Sequence, residues 1–425
     1  MLIEFSVENF LSFQGRVTLS MLASSDTSLD HNYSIAQTVG NERVLRSAVI
    51  YGANASGKSN LLKALSFMRD FVVTNHQRQQ GDTTGVTPFK LDNQYLDKPS
   101  QFEVQFVKDS VRYYYGFALD QEKVIKEYLY CYPKGRQSIV FERDKGSEFR
   151  FTKDQDEQKT LADRTLTNRL YLSVATEWNY KRTAQAFAWF KDKVQVIPLI
   201  EGEKLKNTIE SLKDQKNLPL IRRFIAAADL GIHNVEASRK EIRSLEDLPS
   251  KMPDSLKAFL VEGRAHTLHI ETYHYGLDED GVKIEVAFGL EEESKGTLRM
   301  FEFVGYWLKA LQEGQLLIVD ELDTSLHPLL VQLLIEAFRD PLQNTNNAQL
   351  VFTTHDTNLL RLHTFRRDQI WFTEKNPDTG STDVYSLLEL RIRKDENVEK
   401  GYLAGRYGAI PFFGGGLSKW LSNPS

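Results

Sequence analysis

Apolar and polar residues alternate through the opening MLIEFSVENF, the period of a strand with one covered face. The spacing predicts strands over Leu2 to Val7 and Val17 to Met21, joined through Ser12, Phe13 and Gly15. Val44 to Tyr51 (VLRSAVIY) predicts a buried strand, and Asn60 to Val73 carries apolar residues at helical spacing. From about Phe89 to Phe151 period two returns with aromatic residues on alternate positions, as in FEVQFVKDSVRYYYGFALD and KEYLYCYP, which predicts an antiparallel meander. Helical patterns dominate between Leu161 and Leu260, among them TAQAFAWFKDK and LIRRFIAAADLGI. Strands return over His266 to Tyr275 and Val282 to Leu290. They are followed by a helix over Thr297 to Leu311, the strand QLLIVD, a helix over Pro328 to Phe338 and the strand QLVFTT. Near the end, GRYGAIPFFGGG is glycine-rich and aromatic, more a docking or turn segment than a helix. The expected fold class is α/β, a mixed sheet with an antiparallel β subdomain. Residues 1–160 and 266–425 form one head, interrupted by a helical insertion lobe over 161–265.

Composition narrows the setting. With 425 residues, 41% hydrophobic and 26% charged, the chain is an ordinary globular sequence. A formal net charge of -5 argues against a generally basic, nucleic-acid-coating protein. The local clusters RLHTFRR (Arg361 to Arg367) and RIRK (Arg391 to Lys394) keep DNA or RNA binding open. Cys131 is the single cysteine, so no intrachain disulfide forms and a reducing cytoplasm is the expected location. No run of about 18 apolar residues suggests a membrane span.

The strand ending at Tyr51 runs into GANASGKS, which fits G-x-x-x-x-G-K-[ST] with Gly52, Gly57, Lys58 and Ser59 in the fixed places. Glycines let the backbone wrap a phosphate so that successive N–H groups point at its oxygens. The following helix adds its positive end. Lys58 supplies a cation between β- and γ-phosphates, and Ser59 offers a hydroxyl to Mg²⁺. The candidate ATP-binding residues are therefore Gly52, Asn54, Ala55, Ser56, Gly57, Lys58, Ser59 and Asn60. The context of a buried strand before and a helix after is what the motif requires.

LLIVDELDTSLHP is an apolar strand that ends in two acids. Asp320, with Ser59, is the candidate Mg²⁺ holder, and Glu321 is placed to orient and deprotonate the attacking water. QLVFTTHDTNLL ends a second apolar strand at His355, whose imidazole could donate to the γ-phosphate or to that water. In EEESKGTLRMFEF, Ser294, Lys295 and Gly296 precede a helix. Such a terminus forms a second anion site, expected to close over the ATP of another subunit; the alternative is an ordinary N-cap serine. Adenine contacts fall to Phe13 or Asn9, and Gln101 and Gln105 are the candidates for a Q-loop glutamine.

The order of these motifs, a P-loop, then S-x-G before a helix, strand-D-E, LDTSLHP and strand-T-H, resembles ABC-type P-loop ATPase heads of the OLD, RecF and SMC-like group. FSVENFLSF, AADLGI, DELDTSLHP and GRYGAIPFFGG resemble more narrowly the AAA-family ATPases of bacterial abortive-infection and anti-phage systems. Within that group the chain is similar to the ATPase subunit of PARIS-type systems and to ATPases encoded beside RloB-like proteins. The resemblance implies ATP and Mg²⁺ as cofactors and a homo-oligomer in which Ser294, Lys295, Gly296 and Asp323 act in trans. It further implies a phage-encoded trigger and a separate toxic effector, a Toprim-type nuclease, because too few residues follow His355 for a Toprim domain within the chain. A DNA-repair or chromosome-maintenance ATPase of RecF/SMC type is the alternative. The signature ESKGT departs from the longer form of transporters, which puts the strength of the trans contact in question.

Overall fold

The computed structural model describes residues 1–36, 40–197, 205–214, 216–227, 231–241, 266–390, 392–393 and 396–411. Along the chain run β1 (Leu2–Glu8), β2 (Val17–Ser20), β3 (Tyr33–Ile35), β4 (Arg43–Leu45), β5 (Ser47–Tyr51) and the helix α1 (Lys58–Thr74). The meander follows as β6 (Ser100–Lys108), β7 (Val111–Leu119), β8 (Val124–Tyr132), β9 (Ser138–Asp144) and β10 (Glu148–Phe151). Next come α2 (Gln155–Asp163), α3 (Tyr171–Glu177), α4 (Lys181–Ala188) and β11 (Val194–Val196). A second group comprises α5 (Lys206–Lys213), α6 (Leu218–Ala227), β12 (Asn234–Glu241), β13 (His266–Leu277) and β14 (Lys283–Gly289). The chain continues through α7 (Lys295–Glu313), β15 (Leu316–Val319), α8 (Pro328–Arg339), β16 (Gln349–Thr353), β17 (Ile370–Lys375), β18 (Thr382–Ser386) and α9 (Val398–Leu403).

The chain divides into two compact units: Met1–Val196 with Ala310–Asp323 and Leu334–Ser425, and Ile197–Lys309 with Thr324–Leu333. The first unit holds two large sheets. One is antiparallel throughout, in the order β10-β9-β8-β7-β6-β1-β2. The other, β11-β15-β16-β5-β17-β18, is parallel except for its last pair. This is the mixed α/β architecture expected from the pattern.

The central strands β5, β15 and β16 are buried at every position, as strands covered on both faces must be, and they are apolar runs for that reason. Helix α1 lays Phe67 and Phe71 against the antiparallel sheet, their rings 5.1 Å from Phe102 and 5.6 Å from Phe117. Gln349 ties the two sheets together: its Nε2 donates to the carbonyls of Leu2 and Leu45 at 3.0 Å each, and its Oε1 accepts from Leu2 N–H. A buried side chain with donor and acceptor both used adds specificity without an unpaired polar group.

Several elements differ from the sequence pattern. Val44 to Tyr51 is two strands, because the chain changes partners at Arg46: its N–H donates to the Asn32 carbonyl beside β3 and its carbonyl accepts from Leu350 N–H of β16, each at 2.9 Å. The helices that begin near Leu161 do not open the second unit. Leu161, Leu170 to Leu172, Ala186, Trp189 and Phe190 belong to the first unit's core, where Trp189 stacks on Phe106 at 4.2 Å. The second unit begins at Ile197, and it is not helical alone, since β12-β13-β14 form a three-stranded sheet within it. Its own core gathers Ile221, Ile225, Val235, Ile270, Phe301 and Val304. Residues 242–265 of the expected insertion lie outside the described residues.

The glycine-rich tail docks as expected over 405–411. Tyr402 and Tyr407 are buried beside Phe372, and Tyr385 Oη donates to the Tyr407 carbonyl at 2.7 Å. The remainder of that segment, 412–416, lies outside the described residues.

Candidate functional site

The loop 52–57 leaves the C-terminal end of β5 and enters α1 at Lys58. Gly57 is the N-cap of α1 with φ +110°, a conformation that a side chain makes costly. Its α-carbon also faces the β18 strand. A β-carbon there would lie 2.5 Å from Thr382 Oγ1, 2.6 Å from Thr382 Cγ2 and 3.1 Å from Ser12 Oγ. At Gly52 a β-carbon would meet Thr373 O and Oγ1 at 2.5 Å. The glycines are therefore required both for the wrap of the loop and for the closeness of its supports.

Those supports are hydroxyls from distant parts of the chain. Ser56 Oγ and Thr373 Oγ1 are 2.6 Å apart. Thr382 Oγ1 donates to the Ser56 carbonyl or to Ser12 Oγ, each at 2.9 Å, and Asn60 Nδ2 donates to Ser12 Oγ at 2.8 Å. Lys58 is buried, and its Nζ donates to the carbonyls of Gly52 at 2.8 Å and Ala53 at 3.1 Å. Burial pushes the Lys58 ammonium below its usual pKa, opposed by the neighbouring carboxylates of Asp320, Glu321 and Asp323.

Beside the loop lies a cavity of about 510 Å³ lined by Ser12, Asn54 to Asn60, Glu321, His355 and Lys375. The structure thus brings the loop, the second acid and the histidine to one place. Asp320, at the end of β15, gives Oδ1 to the Thr353 hydroxyl at 2.6 Å. Glu321 has φ +51° and donates its N–H to the same hydroxyl at 2.7 Å. Both oxygens of Asp323 lie 3.3 Å from the His355 backbone N–H, so this acid steadies the histidine within its own chain.

A hydroxyl from Ser59 and a carboxylate from Asp320 are the donor set of a hard cation that keeps its waters and phosphate oxygens. Among the described residues there is no cluster of three or more His, Cys, Asp or Glu that would form an all-protein metal cage. Asp320 acts on the Lys58 ammonium, next to Ser59 in the chain, and this donor set fits Mg²⁺ shared with a triphosphate. The loop amides, Lys58 and the N-terminus of α1 can hold such a polyanion, Glu321 can take a proton from water, and His355 can donate to an oxygen.

A family described as “AAA domain, putative AbiEii toxin, Type IV TA system” has a model that matches residues 47–361, from β5 to just beyond His355. The chain belongs to this AAA-domain family. No curated protein matches it. Similar solved structures, each 12% identical, include the SMC head bound to the C-winged helix domain of ScpA, with a TM-score of 0.43 over 92% of this chain and 99% of that one. The SMC head domain from Thermotoga maritima aligns with a TM-score of 0.40 over 91% and 98%. The recombination mediator protein RecF with ATP aligns with a TM-score of 0.35 over 91% and 99%.

In the second unit of this AAA-domain chain, Ser294 caps α7. Its Oγ accepts from Thr297 N–H at 3.1 Å and lies 2.9 Å from Thr297 Oγ1. This is the bond of an N-cap serine. A β-carbon on Gly296 would lie 3.2 Å from the Ser325 carbonyl, so the glycine admits the loop that follows Asp323.

Two adenine candidates fall away. Phe13 is fully buried in the core, and Asn9 spends its amide on the Tyr95 and Lys98 carbonyls and the Phe89 N–H. Ser12, between them in sequence, is the residue that reaches the cavity. Gln105 is engaged on the meander with Glu4 and Arg112. Of the basic clusters, Arg366 is buried against Asp368 at 2.8 Å and Arg367 pairs with Asp26 at 3.3 Å; both are structural. Arg391 and Lys394 lie outside the described residues. Among the described residues no helix is long and apolar enough to cross a membrane.

Sequence reasoning missed Thr353, Thr373, Thr382 and Lys375. The last is an exposed cation on the cavity wall at the end of β17. The apolar run IWFT, closed by the turn residues NPDTG, was the signal available for that strand.

Proposed function

We propose that this AAA-domain chain binds MgATP in the 510 Å³ cavity and hydrolyses it. Lys58 and the loop amides grip the phosphates, Ser59 and Asp320 hold Mg²⁺, Glu321 activates water and His355 supports the developing charge. The observation that carries this reading is the convergence of Lys58, Ser59, Glu321 and His355 on one cavity, although Glu321 and His355 lie far along the chain from the loop. A preorganised set of donors around a phosphoryl group is what phosphoryl transfer needs, because positioning and electrostatics supply most of the rate.

The larger role we infer is that of an ATP-controlled subunit in a bacterial anti-phage system, working in the cytoplasm. Copies assemble as a homo-oligomer, with Ser294, Lys295, Gly296 and Asp323 closing over a neighbour's nucleotide. The assembly restrains a separate toxic effector, a Toprim-type nuclease, until a phage component shifts it by binding one state better than the other. The family's description, “putative AbiEii toxin, Type IV TA system”, supports membership of a growth-arresting system.

The test is a purified chain assayed for Mg²⁺-dependent release of phosphate from ATP. Lys58→Ala should abolish nucleotide retention. Glu321→Gln should retain nucleotide and lose turnover by about 100-fold or more. A Glu321→Gln chain as fast as its parent refutes the catalytic assignment. In cells, loss of plaque protection with Lys58→Ala tests the defence role, and protection that survives this substitution refutes it.

A further inference from the structure

We propose that Thr353 is a positioning residue that sets the geometry of both acids, Asp320 and Glu321, an inference that rests on the ATPase reading above. Thr353 ends β16 and is fully buried. Its hydroxyl donates to Asp320 Oδ1 at 2.6 Å and accepts from Glu321 N–H at 2.7 Å, while its carbonyl accepts from Leu322 N–H at 3.0 Å. A hydroxyl has one proton and two lone pairs, so it can serve both acids at once.

Each bond has a distinct effect. The first engages Oδ1 and so fixes the rotation of the Asp320 carboxylate, which would hold Mg²⁺. The second acts on the backbone. Glu321 at φ +51° is in the left-handed region, which costs a residue with a β-carbon free energy and persists only where the surroundings enforce it. Plain strand alternation would send Asp320 and Glu321 to opposite faces. Both nevertheless act on Lys58, and Glu321 lines the cavity. The bent backbone held by Thr353 is what turns the chain so that the second acid reaches the same site.

The neighbouring tie strengthens this reading. Two residues after Thr353, the His355 N–H faces the Asp323 carboxylate. The ends of β15 and β16 are thereby fastened twice, once at the acids and once at the histidine. Thr353 touches neither nucleotide nor water in this scheme, so its role is geometric.

The test compares Thr353→Val, Thr353→Ser and Thr353→Ala in the full chain. Valine keeps the shape and removes both bonds. We expect kcat for ATP to fall about 30- to 100-fold, since a misplacement near 1 Å costs about that much, with KM and MgATP affinity within about threefold of the parent. Serine should return kcat to within about fivefold. Serine and alanine differ only in the hydroxyl, so a kcat ratio of about ten or more between them carries the same contrast if the valine chain does not fold. Parental kcat in the valine chain, or equal kcat in the serine and alanine chains, overturns the inference while leaving the ATPase reading intact. A parent chain with no Mg²⁺-dependent turnover sinks both.

Discussion

Gly57→Ala separates two costs at one atom. The first is conformational. At φ +110° an alanine is outside the regions open to residues with a β-carbon, a penalty of roughly 1–3 kcal/mol. The second is steric. The added carbon would sit 2.5 Å and 2.6 Å from two Thr382 atoms and 3.1 Å from Ser12 Oγ, overpacking that costs about 1–3 kcal/mol. Together they predict a loss of roughly 2–6 kcal/mol, or about 3–10 °C in the melting temperature of a unit this size.

Thr382→Ala makes the two parts distinguishable. By itself it removes the hydrogen bonds to the Ser56 carbonyl and to Ser12, about 1 kcal/mol each. In the double variant the two Thr382 contacts disappear, while the Ser12 contact and the conformational part stay. The double variant should therefore be more stable than the sum of the singles by about 1–3 kcal/mol, a coupling expected only of residues in contact. Thermal or urea unfolding of the four chains measures it, with nucleotide retention recorded alongside. Strict additivity, or a Gly57→Ala chain as stable as the parent, refutes the account of the loop's supports.

Three further outcomes follow from the same geometry. Lys375→Ala should weaken nucleotide affinity about fivefold, the worth of roughly 1 kcal/mol for an exposed cation, and leave kcat unchanged; titration calorimetry with MgATP checks it. Arg366→Ala strands the buried Asp368 carboxylate and should cost about 3–5 kcal/mol of stability, read by denaturation, with no change in the salt dependence of any nucleic-acid binding. Burial raises the Glu127 carboxyl above its usual 4.5 against the pull of Arg143. The folded chain therefore holds that proton more tightly than the unfolded one. The associated stability is complete below about 4.5 and is lost as pH rises through the folded value. Glu127→Gln, which does not titrate, should flatten this slope in a series of unfolding curves from about pH 4 to 7.

The parts of the site legible in the sequence were those encoded locally. GANASGKS sits between an apolar run and a helical one, and its chemistry follows from residue types in fixed places. The acids at the end of LLIVDE are similarly self-announcing, because a buried strand ends where polar residues begin. What lay hidden was tertiary. Thr373 and Thr382 are ordinary strand threonines until β17 and β18 place them behind the loop. Thr353 looks like one more residue of an apolar strand, and only the register of β15 against β16 reveals its bonds to the acids. The run Val44 to Tyr51 reads as one strand but changes sheets at Arg46, whose carbonyl pairs with Leu350, far along the chain. The helices after Leu161 join the first core because their aromatic residues match the meander, a pairing that periodicity along one segment does not encode.

The phosphate loop is shored up from behind by Ser12, Thr373 and Thr382, residues contributed by widely separated stretches. During synthesis the loop emerges early, but its backing does not exist until Thr382 has left the ribosome and β18 has annealed to β17. Non-local closure of this kind is slow and comes late. A nascent or truncated chain that ends before β17 carries the whole phosphate-binding motif and still lacks the rigid cup. On the proposed reading, nucleotide is gripped firmly only once these last two strands have paired.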